Sequence, residues 1–264
     1  MALVLSDRHG AVAVLTLNDP DRRNPLSTGM REELIEAVQE VSADPSVGAL
    51  VLTGAGGAFS SGGDLGSMPP ASANDAAQRL ARVRLLIELV TRLPIPVIAA
   101  VEGPAAGVSA GLVAACDVVV AAEGSRFLFP FTKLGLMPDG GALATVARRT
   151  GDATARRIFL LAEPVPAATA LAIGLADRTV ERGGALKAAV AVAADLATRA
   201  PGSTAGIKAY YADGFAELTR ALDTEAATQV ERYFSAEFTE GKSAFFEGRD
   251  PDFSARSAAG QAAG

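Results

Sequence analysis

The sequence predicts an α/β chain with a core of alternating strands and helices and a helical C-terminal region. Three observations lead there. Short β-rich runs alternate with apolar stripes of helical period as far as residue 141. The turns at residues 54–65 and 103–111 are rich in glycine and other small residues, and each leads from a strand towards a helix. After Asp139 the pattern changes to one helix upon another, with a single short strand candidate among them.

Residues 3–5 and 12–17 read as a hairpin turning at Asp7-Arg8-His9-Gly10. A polar turn, Asn18 to Asn24, leads through Pro25-Leu26-Ser27 to a helix whose stripe is Met30, Leu34, Ile35, Val38 and Val41. Ser27 or Thr28 is suited to cap it. A strand over 49–53 precedes the first glycine loop, and residues 68–74 read as a mobile surface loop. The helix over 75–91 buries Leu80, Val83, Leu86, Ile87 and Val90, and Pro94 and Pro96 break it before a strand at 97–101. A helix over 108–116 and strands over 117–121 and 127–129 follow. Helices are then expected at 142–149, 153–161, 167–173, 185–198 and from Thr204 onward, with a short strand at 176–180. The Ala/Gly/Ser-rich residues 254–264 are expected to fray. The division is a core over 1–200 and a C-terminal helical region over 201–264.

Bulk properties narrow the function classes. With 264 residues and 49% hydrophobic content, the chain is able to bury a sizeable core. A net charge of −6 and a pI near 5.0 give no overall attraction to nucleic acid or an anionic membrane. The one histidine, His9, lies in the first hairpin turn, and the one cysteine, Cys116, lies inside an apolar run. Metal sites and Ser–His or Cys–His machinery therefore lack their usual members, and no metal is expected. The N-terminus lacks the pattern of a secretory signal, and the apolar run at 112–122 is interrupted by Asp117 and too short to span a bilayer. A soluble cytoplasmic protein is expected.

The two small-residue turns are where chemistry is expected. A helix starting near Val108 leaves its first N–H groups unpaired and its positive dipole end facing the turn, a place for a negative oxygen. The upstream loop, Gly54 through Leu65, suits a second donor aimed at the same point. Two fixed N–H donors stabilise the charge that gathers on a carbonyl oxygen in a transition state. Neither turn carries a GxxxxGK[ST] phosphate loop or a dinucleotide-binding GxGxxG. The plainer alternative is that these glycines serve tight turns and close packing.

At these loops the chain resembles the crotonase, or enoyl-CoA hydratase/isomerase, superfamily. The matching segments are DPDRRNPLS, LVLTGAGGAFSSGGDL, IPVIAAVEGPAAG, ACDVVVAAEGSRFLFPFTKLGLMPDGG and AFFEGRDPDF, in family order along nearly the whole chain. The resemblance implies a spiral of ββα units with a C-terminal helical trimerisation region, assembled as a homotrimer or a dimer of trimers. It implies a coenzyme A thioester substrate, with coenzyme A brought by the substrate and no other cofactor. It places the two oxyanion N–H groups at Gly63 and Val108. It puts Arg22, Arg23, Pro25, Ser61, Asp64 and Leu65 near the coenzyme A, and Arg249 beside Gly248, where many relatives carry a lysine reaching a neighbour's ligand. The loop at 66–75 and the helix at 78–90 are expected to wall the acyl tunnel.

The departures point to a reaction. Hydratases of the family use two glutamates, and those positions hold Gly111 and Phe131, which transfer no proton. One carboxylate remains, Asp139 in LGLMPDGG, and Pro130-Phe131 with Asp139-Gly140-Gly141 resembles the pattern of family isomerases. Moving a double bond from the 3- to the 2-position of an enoyl-CoA needs a single base. Phe127, Phe129, Phe131 and Leu136 around that carboxylate would desolvate it and raise its pKa. The alternative for Asp139 is a turn residue that caps the helix from Ala142. Two other functions stay open. One is a hydratase or lyase using another carboxylate such as Asp64, itself suited to cap the next helix; the other is an acyl-CoA-binding protein without turnover.

Overall fold

The computed structural model describes residues 2–213 and 216–253. The expected loose end at 254–264 lies outside the described residues. Six strands form the main sheet: β1 (Val4–His9), β2 (Val12–Leu17), β3 (Ala49–Gly54), β4 (Val97–Val101), β6 (Val118–Ala122) and β9 (Arg178–Val180), in that spatial order. β1 pairs antiparallel with β2, and every later pair in this sheet is parallel. A smaller sheet joins β5 (Pro104–Ala106) to β7 (Arg126–Leu128) in parallel and β7 to β8 (Val165–Pro166) antiparallel. The helices are α1 (Thr28–Ala43), α2 (Ala73–Arg92), α3 (Val108–Ala115), α4 (Ala142–Thr150), α5 (Asp152–Leu161), α6 (Ala167–Ala172), α7 (Ala185–Leu196), α8 (Pro201–Asp213), α9 (Ala216–Tyr233) and α10 (Ala236–Glu247).

The inner strands β2, β3, β4 and β6 are buried on both faces, as parallel strands require. Along β2, Ala13, Leu15 and Leu17 join the larger core with α1, α2 and α3, while Val12 and Val14 point to the opposite face. There α7 lies across the sheet on Ala185, Ala189 and Ala193, a four-residue repeat of small side chains that lets the helix sit close. Ser27 caps α1 by accepting from the Met30 N–H, and Ser72 caps α2 by accepting from that of Asp75.

Some local expectations shift. β1 runs on through Asp7, Arg8 and His9 because it is an edge strand whose side chains meet water, so polarity does not end it. Residues 104–106, read as part of a turn, form β5 because Ala105 and Ala106 are small enough to pair with β7. Of the loop expected at 68–74, Met68 is buried and packs in the main core, so that part is a wall and not a free loop.

Candidate active site

Backbone bonds lock the two small-residue turns together. The Ser60 N–H donates to the Pro104 carbonyl and the Ala106 N–H to that of Ser60, forming a one-residue parallel bridge between Ser60 and Ala105. The Ser109 hydroxyl, fully buried, accepts from the Ala106 N–H and lies within reach of the Ser60 carbonyl. Gly62 has φ +91°, and a Cβ there would lie 2.5 Å from the Ala106 carbonyl oxygen, so only glycine lets the loops approach this closely. The Asn24 side chain, also fully buried, fastens the preceding turn by donating to the carbonyls of Ala55 and Ala58 at 2.9 Å each. From the same turn, the Ser61 N–H donates to the Arg23 carbonyl and the Leu26 N–H to that of Gly62.

Gly63 and Val108 line one cavity of about 380 Å³, together with Asp139, Phe131, Arg31 and Arg79. Val108 opens α3, where a helix leaves its leading N–H groups without intrahelical partners. Among the described residues, no group accepts a hydrogen bond from the N–H of Gly63 or Val108. Both donors are therefore available to a ligand oxygen in this cavity.

Asp139 is the only carboxylate among the residues lining the cavity. Its side chain is 8% exposed, and Oδ1 is buried without a hydrogen-bond partner. Burial pushes its pKa up to about 6, against the pull of Arg79, the Gln229 amide and Arg31. It is not the cap of α4: that position is Gly141, in the left-handed region. The two positions at which the resemblance expects hydratase glutamates have distinct surroundings. Phe131 lines the cavity as an apolar wall. Gly111 packs directly on the Asp139 turn, where a Cβ would lie 2.9 Å from the Gly140 oxygen, 3.2 Å from Ala142 Cβ and 3.4 Å from the Asp139 oxygen.

Sequence reasoning expected helix from Thr204 onward but missed that one helix there holds this turn. On α9, Glu225, Gln229 and Tyr233 recur every fourth residue and are all buried. Glu225 accepts from the Gly141 N–H at 2.8 Å and from the Leu143 N–H at 3.4 Å, capping α4 from another part of the chain. The Gln229 Oε1 accepts from the Met137 N–H at 2.8 Å. Tyr233 lies close enough to feel the charge of Asp139, and its hydroxyl has no hydrogen-bond partner. Burial raises the Glu225 pKa to about 8 and the Tyr233 pKa to about 12. The signal was the polar triplet at helical spacing in a region read only as helical and charged.

The remaining candidates divide between a groove and the surface. Arg22, Arg23, Pro25, Ser61, Asp64 and Leu65 line a common groove beside the first loop, and Gly63 borders both it and the cavity. Arg22 is held by Asp64 at 2.9 Å, and Asp64 also accepts from the Gly66 N–H as the cap of a short 3₁₀ turn. Asp64 therefore has the expected capping role and does not line the cavity. Arg249 lies outside that groove in its own chain and pairs with Glu240 and Glu247. His9 is exposed, and the Cys116 thiol is buried with its pKa pushed up to about 12. Among the described residues no group of three or more His, Cys, Asp or Glu could hold a metal ion, and no helix is long and apolar enough to cross a membrane.

Comparison with known proteins agrees with this fold. A family model described as enoyl-CoA hydratase/isomerase matches residues 7–256. A protein of Rhodobacter capsulatus described as a probable enoyl-CoA hydratase is 37% identical over 246 residues, covering 93% of this chain and 95% of its own length. The 1,2-epoxyphenylacetyl-CoA isomerase of Escherichia coli is 35% identical over 266 residues, covering 97% of this chain and all of its own. The crystal structure of an enoyl-CoA hydratase from Mycobacterium avium subsp. paratuberculosis superposes with a TM-score of 0.87 at 35% identity, over 96% of this chain and 99% of that one.

Proposed function

This chain belongs to the enoyl-CoA hydratase/isomerase family, and from that premise we propose that it moves the double bond of a 3-enoyl-CoA to the 2-position. The observation that carries this reading is that Asp139 is the one carboxylate lining the cavity it shares with Gly63 and Val108. Water addition to a 2-enoyl-CoA calls for a base for the water and an acid for the α-carbon, whereas an allylic shift needs one group to take a proton and return it.

The thioester oxygen accepts from the N–H groups of Gly63 and Val108. Ionised Asp139 removes a proton from C2, and the C–H electron pair forms a C1–C2 double bond as charge moves onto the thioester oxygen. The resulting dienolate is stabilised by the two fixed donors. Asp139 then delivers the same proton to C4; the C3–C4 electron pair takes it up, the C2–C3 double bond forms and the carbonyl is restored. The carboxylate ends as it began. Burial that lifts its pKa to about 6 makes it a stronger base while leaving it ionised at neutral pH. The surface supports assembly as a homotrimer or dimer of trimers through the C-terminal helices: Ile207, Tyr210 and Tyr211 on α8 and Phe245 and Phe246 on α10 are exposed.

The test is turnover of a trans-3-enoyl-CoA and a trans-2-enoyl-CoA by the wild type and Asp139→Asn. The expected result is isomerisation of the 3-enoyl substrate that falls on the order of 10²- to 10⁴-fold in the variant. Water addition to the 2-enoyl substrate that survives in the variant refutes the proposal. So does binding of both thioesters with turnover of neither.

A further inference from the structure

Two arginines face the cavity without a carboxylate to meet them. Arg31, on α1, is 2% exposed. Its guanidinium donates through Nη1 to the Leu26 carbonyl at 2.6 Å and through Nη2 to Thr28 Oγ1 at 3.1 Å, while Nε is buried with no partner. Arg79, on α2, is half-buried, donates to Ser67 Oγ at 3.2 Å, and brings Nη2 within 3.5 Å of the point where a Gly63 Cβ would stand. Asp139 and Glu32 act on Arg31 through space, and Arg79 repels it, but neither arginine makes an ion pair with a carboxylate among the described residues. With Asp139 ionised, the cavity is lined by four cations, Arg23, Arg31, Arg79 and Lys133, and one anion; of the four, Arg31 is the most deeply buried.

A buried cation without a partner is costly, and removing the anion from a buried pair is among the more destabilising changes a protein meets. A neutral hydrocarbon tail entering this cavity would leave Arg31 Nε unsatisfied and desolvate both guanidiniums further. A planar carboxylate would meet the free donors in the fork geometry that guanidinium favours. Asp139 does not fill this role, since its Oδ1 is itself without a partner.

We propose that Arg31 and Arg79 form an acyl-end anion site, and that the substrates of this cavity are CoA thioesters whose acyl chain carries a second, free carboxylate. The inference rests on the acyl-CoA reading of the site and deepens it. Phosphates of coenzyme A are the competing anion chemistry, and a pair of ligands that differ only at the acyl end separates the two.

Isothermal titration with hexanoyl-CoA and its ω-carboxylated counterpart adipoyl-CoA tests this. Both are saturated, so binding is read without turnover and independently of the isomerase proposal. In the wild type, adipoyl-CoA is expected to bind on the order of tenfold or more tightly than hexanoyl-CoA, the usual scale of a charge-assisted hydrogen bond. In Arg79→Leu, at a half-buried position, the ratio of the two affinities is expected to collapse to within about twofold, whatever the absolute affinity of the variant. Arg31→Gln should act in the same direction. Equal or tighter binding of hexanoyl-CoA by the wild type overturns the proposal, as does a preference that survives in both variants. Failure of both thioesters to bind removes the acyl-CoA reading and this inference together. A retained adipoyl preference with no isomerisation of any 3-enoyl-CoA removes only the isomerase.

Discussion

Gly111 offers a sharp test of why this active site carries one carboxylate. Family resemblance puts a hydratase glutamate at this position, so the natural experiment is to restore it. The structure argues that restoration fails for a steric reason. A Cβ at residue 111 would lie 2.9 Å from the Gly140 oxygen, a backbone atom of a residue at φ +71°, with Ala142 Cβ at 3.2 Å close behind. Backbone in a tight glycine turn does not step aside as a flexible side chain does. For Gly111→Ala, overpacking costs about 1–3 kcal/mol, offset by about 1 kcal/mol of helix propensity gained inside α3. A net loss of about 1 kcal/mol follows.

The larger effect is expected on chemistry. The oxygen that must move belongs to the residue after Asp139, and a displacement of about 1 Å at a reacting group is able to cost about a hundredfold in rate. Gly111→Ala should therefore lose far more 3-enoyl-CoA turnover than its small shift in urea midpoint accounts for. Gly111→Glu adds four further heavy atoms beyond Cβ, among them a second carboxylate beside a buried one, so it should be less stable still and should not gain water addition. The reasoning is refuted if Gly111→Ala keeps both its unfolding midpoint and its turnover. It is equally refuted if Gly111→Glu hydrates a 2-enoyl-CoA while remaining as stable as the wild type.

Two further outcomes follow from the buried carboxyls. Because Asp139 must be ionised to act, kcat/KM for a 3-enoyl-CoA should rise about tenfold per pH unit below pH 6 and level off above it; a profile flat through that range would assign the base to another group. Glu225 has a folded pKa of about 8 against an ordinary value of 4.5, so the folded state keeps a proton that the unfolded chain releases in that window. Its contribution to stability therefore falls as pH rises from about 4.5 to about 8, and denaturant midpoints of Glu225→Gln measured across that range should decline less steeply than those of the wild type. Parallel declines in the two proteins would remove Glu225 as the source.

Much of the architecture was legible because it follows from periodicity. The stripes on α1 and α2 and the strands around β3, β4 and β6 each satisfy one repeat throughout their length. The two turns that supply Gly63 and Val108 were legible for a different reason: their chemistry is backbone chemistry, and glycine marks backbone that must come close. β5 and β8 escaped because strands of three and two residues in a separate sheet are fixed by neighbours distant in sequence. The links from Glu225 to Gly141 and from Gln229 to Met137 span 84 and 92 residues, and local pattern carries no trace of such pairings.

Those long links change what the C-terminal helices contribute to the site. α4 begins at Gly141 with no side-chain cap of its own, so its leading N–H groups depend on a carboxyl group brought by α9. The same helix fixes the Met137 N–H on the other side of Asp139, so the base is clamped two residues away in each direction. Gly111 closes the remaining side by allowing α3 to press on the turn. With three contacts from two helices fixing its backbone, Asp139 can keep a carboxylate oxygen buried and unpartnered, which is the costly state a base of raised pKa requires. A glutamate at position 111 would compete with this clamped aspartate for one space, which is why restoring the first should disturb the second.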